Sequence, residues 1–277
     1  MIKEIQAKSI LVSSKLPDTD YVINPYTGCA FGCSYCYASF MGRFVDKRIE
    51  DWGSYVYPKV NLATILDQEL SKIKDKNKSI FLSSVTDPYQ SLEAKYKLTR
   101  AALELLLKHK WTGSIGILTK SPLVTRDTGL FKQIPNIEVG LTITSADDSV
   151  SNFLERFAPS ASSRIKALEE LHKAGIHTYA FIGPLLPHFS ATPEKLRKIF
   201  DALQKTGVKE IYMEHINLSN YIKKRLMDKI KGVDKNIINK FYSANSRDYE
   251  RKLEEIIVNI LKDYDFKLRL NKIISHK

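Results

Sequence analysis

The chain has 277 residues, a formal net charge of +12 and an ordinary hydrophobic share of 43%. That length suits one large α/β domain with an appendage, and no apolar run approaches the roughly 18 residues a membrane span needs. Three cysteines, an odd and tightly spaced set, exclude a disulfide framework, and the N-terminus lacks the apolar core of a signal peptide, so a cytoplasmic, reducing location with no membrane partner is expected.

The first 20 residues read as a lead-in ending in a turn at Pro17-Asp18. Tyr21-Val-Ile-Asn24 is a short strand stopped by Pro25, and the cysteine loop follows at once. Residues 42–57 are irregular and aromatic, suggesting a loop or short helix. Helical spacing of Leu62, Ile65, Leu66, Leu70 and Ile73 predicts a helix over 60–74. Strand Ile80–Val85, a turn at Thr86-Asp87-Pro88-Tyr89 and a helix over 98–109 come next. The alternation continues with strand 114–119 and a helix over 126–133, then strand 137–143 and a helix over 161–174 closed by Gly175. Strand 177–182 is followed by a helix capped by Thr192 with Pro193 in its first turn, then by strand 209–214.

Six strands alternating with helices indicate parallel β/α units, short of the eight in a full barrel. The expected fold is therefore α/β, a partial (β/α)6 TIM-like barrel over residues 21–218, with a helical, basic extension over 219–277 packed on it. In that extension Leu253, Ile256, Ile257 and Ile260 form one expected apolar face. Residues 220–277 carry 15 lysines and arginines against 8 acidic residues. Such a surface fits nucleic acid or another polyanion, or equally the solvated lysine faces of a lysine-rich proteome.

In such folds the active site gathers at the C-terminal ends of the strands. Polar clusters of this chain fall there: the cysteine loop, Ser83 to Asp87, Lys120, Thr142 to Ser145, and Glu214 with His215. All three thiols lie within Cys29-Ala-Phe-Gly-Cys33-Ser-Tyr-Cys36. Thiolates suit zinc, copper(I) or iron–sulfur clusters. Structural zinc wants four ligands, whereas three cysteines on a four-iron cluster leave one iron open for chemistry. Gly28 and Gly32 allow the tight bends such a loop requires, and Phe31, Tyr35 and Tyr37 either shield it from water or are ordinary core packing.

The spacing Cys-x3-Cys-x2-Cys with an aromatic before the last cysteine resembles the signature of the radical S-adenosylmethionine (SAM) superfamily. The wider string from Asn24 to Ala38, with Thr86-Asp87-Pro88-Tyr89-Gln90, Leu118-Thr119-Lys120-Ser121 and Arg156-Phe-Ala-Pro-Ser160 leading to Arg164, resembles its spore photoproduct lyase-like branch. The resemblance covers residues 20–215. It implies a [4Fe–4S] cluster on Cys29, Cys33 and Cys36, with SAM chelating the open iron. One electron from an external ferredoxin- or flavodoxin-type donor then cleaves SAM to a 5′-deoxyadenosyl radical that takes hydrogen from a substrate, for which the basic extension makes DNA or RNA the candidate.

By the same resemblance Tyr35 lies against adenine, and Ser84, Thr86 and Asp87 meet the SAM amino group. Lys120 approaches ribose and carboxylate, Thr142 and Thr144 donate to the ribose, and Arg164 reaches the carboxylate. One departure stands out: the lyase is understood to use a further cysteine near the second strand as hydrogen donor, whereas this chain reads Leu82-Ser-Ser-Val-Thr86 and has no fourth cysteine. Modification of a peptide or small metabolite is the alternative reaction. A non-catalytic iron–sulfur or zinc protein that senses redox state or binds nucleic acid is the alternative class.

Overall fold

In the computed structural model, which describes residues 1–276, one curved eight-stranded sheet organises the chain. Its strands are β1 (Leu11–Ser13), β2 (Tyr21–Ile23), β5 (Ile80–Leu82), β6 (Ile115–Thr119), β7 (Ile137–Thr142), β8 (His177–Leu185), β9 (Glu210–His215) and β10 (Lys267–Leu268), adjacent in that order. A separate two-stranded ribbon pairs β3 (Tyr26–Thr27) with β4 (Tyr57–Pro58). β1 runs antiparallel to β2 and every other neighbouring pair in the large sheet is parallel. The sheet ends at β1 and β10 without closing, so the architecture is a partial barrel.

Helices connect the parallel strands, as parallel pairing demands. They are α1 (Leu62–Lys72), α2 (Glu93–Tyr96), α3 (Leu98–Lys108), α4 (Thr128–Phe131), α5 (Asp148–Leu154), α6 (Ala161–Lys173) and α7 (Pro193–Gln204); α8 (Asn220–Ile230), α9 (Lys235–Ser243) and α10 (Arg247–Leu261) follow the last barrel strand. α7 shows how the sequence dictates such an element. Thr192 accepts a hydrogen bond from the Lys195 amide at 3.3 Å, Pro193 opens the first turn, and Leu196, Ile199, Phe200 and Leu203 recur on one face. All four are fully buried, each contributing roughly 1.5–3 kcal/mol of burial free energy.

Several boundaries differ from the sequence reading. The lead-in contributes β1, and the C-terminal extension returns a strand, β10, to the open edge of the barrel. In place of the helix expected over 126–133 stand the end of a 3-10 segment (Pro122–Asp127) and the single turn of α4. β8 runs on through the cis Gly183–Pro184 bond to Leu185. Ile256 faces solvent while Leu253, Ile257 and Ile260 are buried, because the apolar stripe is narrower than the residue count suggested. Lys277, the last residue of the expected extension, lies outside the described residues.

The buried side chains form two bodies. One fills the barrel and the space beneath its helices. The other lies over the strand ends, where Phe31, Tyr35, Trp52 and Tyr55 meet Leu154, Leu186 and the apolar face of α8. The extension is thus a cover for the cysteine loop as well as a neighbour of the barrel.

Candidate active site

The cysteine loop leaves β3 and ends where Cys36 precedes a 3-10 helix, Tyr37–Phe44. Gly28 has φ +90°, and a Cβ there would lie 2.5 Å from the Tyr55 carbonyl oxygen, so only glycine lets the loop turn at this point. Side chains from the second parallel unit then hold it. Thr86 Oγ1 donates to the Gly28 carbonyl at 2.6 Å. Gln90 Oε1 accepts from the Ala30 amide at 2.8 Å while its Nε2 donates to Gly28 O and Thr86 Oγ1. Ser34 N donates to Leu154 O, and the Phe157 amide to Phe31 O, tying the loop to the segment after α5.

Cys29 and Cys33 are buried and Cys36 is partly so. Burial pushes all three thiols above the ordinary range. A buried thiol of this kind ionises when a metal takes the place of its proton. Several buried polar atoms around the loop have no partner among the described residues: Ser34 Oγ, Ser39 Oγ, Trp52 Nε1 and Tyr55 OH. Soft donors beside unpartnered hydrogen-bonding groups fit a polar inorganic cluster. Among the described residues no three His, Cys, Asp or Glu side chains converge on a single-ion position. A four-iron cluster makes no such demand, since each thiolate takes a different iron.

Beside the loop stands a buried charge network centred on Glu155. Its carboxylate accepts hydrogen bonds from Tyr35 OH, from the Arg164 guanidinium and from Thr144 Oγ1, the last at 2.9 Å. Lys120 Nζ lies 3.5 Å from Glu155 Oε1 and 5.7 Å from the centre of the Tyr35 ring. Burial alone would raise the Glu155 pKa; the Arg164 and Lys120 charges outweigh it and bring the group down to about 2. Glu155 therefore carries its charge, and it locks Tyr35 into place over the loop.

The sequence-derived candidates divide by what the structure has them do. Tyr35, Lys120 and Thr144 converge on Glu155. Thr142 is buried beside them and its carbonyl accepts from Arg164 at 3.2 Å. Arg164 is fully buried, with its remaining nitrogens on the Pro159 carbonyl, so its donors are engaged within the chain. Asp87 is likewise engaged. Its carboxylate accepts from Thr119 Oγ1 at 2.6 Å, the Lys120 amide at 2.8 Å and the Tyr89 amide at 2.9 Å, bonds that oppose the rise burial imposes on its pKa. Ser84 accepts from Asn24 Nδ2 at 3.3 Å and its carbonyl accepts from Tyr37 OH. His215 is buried with Nε2 3.2 Å from Glu254, and Glu214 pairs with His276.

Sequence reasoning passed over Glu155 and Gln90. Both sit beside motifs that were noticed: Gln90 closes the Thr86–Gln90 string, and Glu155 directly precedes Arg156-Phe-Ala-Pro. A carboxylate so near a buried arginine was the available signal for Glu155, but only the fold shows that Arg164 is buried.

The thiol loop thus lies at the mouth of a partial parallel barrel, among unpartnered polar atoms and beside a buried charge network. Residues 23–195 match the model of the radical SAM superfamily, and the chain belongs to that superfamily, whose members use a [4Fe–4S] cluster and SAM. Over 186 residues it is 42% identical to an uncharacterized protein of Methanocaldococcus jannaschii, covering 67% of this chain and 68% of that one. An uncharacterized Mycobacterium tuberculosis protein is 27% identical over 74% of this chain and 62%, under two thirds, of its own length. A radical SAM Nalpha-GlyT isomerase of Pseudomonas phage M6 is 25% identical over 69% of this chain and 38% of its own. Among solved structures, spore photoproduct lyase has a TM-score of 0.69 at 16% identity, over 95% of this chain and 79% of that one. SuiB of Streptococcus suis, bound to the precursor peptide SuiA, gives 0.57 at 15% identity, over 89% and 47%. At these identities the likeness to solved structures concerns the fold.

Proposed function

We propose that the chain abstracts hydrogen from a nucleic-acid substrate presented across the rim of the cysteine loop. Cys29, Cys33 and Cys36 would hold the cluster, and Tyr35, Lys120 and Thr144 would contact SAM. The bound cofactors supply one-electron cleavage of SAM and a carbon-centred radical, with the electron drawn from a ferredoxin- or flavodoxin-type donor. The chain's own residues bind, orient and exclude water. Lys120 is the cation best placed for the SAM carboxylate, since it is only loosely shared with Glu155. Thr86 joins Gln90 in fixing the loop backbone, Ser84 braces it through Tyr37, and Asp87 and Arg164 hold the strand ends beneath it. We assign these four, with Thr142, to positioning rather than to direct contact with SAM.

The nucleic-acid part of this reading rests on exposed aromatic side chains paired with cations. Tyr37, Phe44, Phe157 and Tyr242 are exposed aromatics. Cations stand over three of them: Arg156 lies 4.8 Å from Phe157, Lys223 4.6 Å from Tyr242 and Arg43 4.8 Å from Phe44. Aromatic faces interleaved with cations are what single-stranded nucleic acid uses, bases stacking while phosphates are neutralised. The basic extension contributes Lys223 and Tyr242.

The test is fluorescence anisotropy of labelled single-stranded oligonucleotides titrated with the reconstituted protein at several salt concentrations. Affinity is expected to fall linearly with salt on logarithmic axes. Phe157→Ala should weaken binding by roughly 5- to 150-fold, the loss of one stacked base at about 1–3 kcal/mol. Absent or salt-independent binding would remove nucleic acid as the substrate and leave a peptide or small metabolite.

A further inference from the structure

We infer that Trp52 and Arg225 set the redox poise of the cluster. The indole N–H would donate toward the Cys36 side, and the guanidinium would supply counter-charge at the Cys33 side. This rests on the family's cluster being held by the three cysteines.

Two tryptophans make an internal comparison. The Nε1 of Trp111 donates to the Lys78 carbonyl at 2.8 Å. Trp52 is as well buried, yet its Nε1 has no acceptor among the described residues. Leaving a buried donor unmade costs about 1–3 kcal/mol, so such an atom calls for an acceptor. The local backbone directs it to the loop. Gly53, next in sequence, packs so tightly on Gly32 that a Cβ on Gly53 would lie 2.6 Å from the Gly32 Cα. The indole is buried in the same body as Cys29 and Cys33, and Cys36 packs against that body.

Arg225 comes from α8, far away in sequence. Its Nη1 donates to the carbonyls of Cys33 at 3.2 Å and Ser34 at 3.4 Å. Its neighbour Lys224 pairs with Glu50 at 2.9 Å, whereas Arg225 forms no ion pair with a carboxylate among the described residues. One arginine of the basic extension therefore points inward, at the metal loop.

The physical consequence follows from charge. Three thiolates give the cluster net negative charge, and reduction adds one more. A donor hydrogen bond to ligand sulfur and a nearby cation both favour the reduced form, so both raise the reduction potential.

The experiment uses the full chain reconstituted anaerobically as wild type, Trp52→Phe, Arg225→Gln and Arg225→Lys, with iron and sulfide assayed per chain. EPR-monitored redox titration should give a more negative midpoint for Trp52→Phe and Arg225→Gln, and a midpoint near wild type for Arg225→Lys. Equal midpoints in loaded variants would overturn the inference while leaving the cofactor reading intact. Should a variant fail to load, pulsed EPR of the reduced wild type with 15N-indole tryptophan decides. A hyperfine coupling to indole nitrogen supports the contact, and its absence overturns it. A wild type that assembles no cluster would overturn both readings.

Discussion

Cys33→Ala is expected to abolish iron–sulfur assembly and SAM cleavage together, while the protein still folds. The side chain is small and lies at the edge of the second buried body rather than in the barrel core, so truncation opens little cavity. The loop backbone is held by Thr86, Gln90 and the Leu154 carbonyl, none of which depends on the thiol. Two thiolates would remain for four irons. Iron per chain after anaerobic reconstitution should fall from near four to a small fraction, with circular dichroism and thermal unfolding close to wild type. Full iron content in the variant would mean that Cys33 is not a ligand.

Glu155→Ala is expected to be the most damaging change outside the loop. It would leave the fully buried Arg164 without its counter-ion and Tyr35 without its carboxylate acceptor. Breaking a buried pair by removing one partner costs about 3–5 kcal/mol, because the other charge stays uncompensated. For a chain of this size that is a fall on the order of 10 °C in the unfolding midpoint. SAM affinity should fall as well, since Tyr35 and Lys120 both lose their anchor.

The same carboxylate sets a pH dependence. Its folded-state pKa is depressed to about 2 from an ordinary 4.5, so its contribution is fully present above 4.5 and disappears as pH falls toward 2. Asp87 works in the opposite sense, its pKa being raised by burial. The difference in unfolding free energy between wild type and Glu155→Gln isolates the Glu155 share. That difference should shrink across the window from about 4.5 to about 2. A difference constant with pH would show that Glu155 is not ionised in the fold.

What the sequence made legible was whatever local chemistry controls. All six expected parallel strands are present, because apolar runs between helical periodicities mark them without tertiary help. The cap at Thr192 and the positive φ of Gly175 act within a few residues, and so does the clustering of three thiols in one loop. Contacts between distant segments were not legible. Glu155 gains its meaning from Tyr35 and Arg164, and Gln90 from Gly28 and Ala30. Arg225 reads as one more cation of a basic helix until α8 is laid across Cys33. Likewise β1 and β10 are too short for periodicity to reveal, and their pairing to the sheet edges defines them.

The claim that joins these observations is that three cysteines at the strand ends hold a cluster that cleaves SAM. The direct measurement is to reconstitute the chain anaerobically with iron and sulfide, add SAM and a strong one-electron reductant, and assay the products by chromatography and mass spectrometry. Formation of 5′-deoxyadenosine that depends on reductant and is lost in Cys33→Ala is the predicted result. A fully assembled cluster that binds SAM and yields no 5′-deoxyadenosine would contradict it.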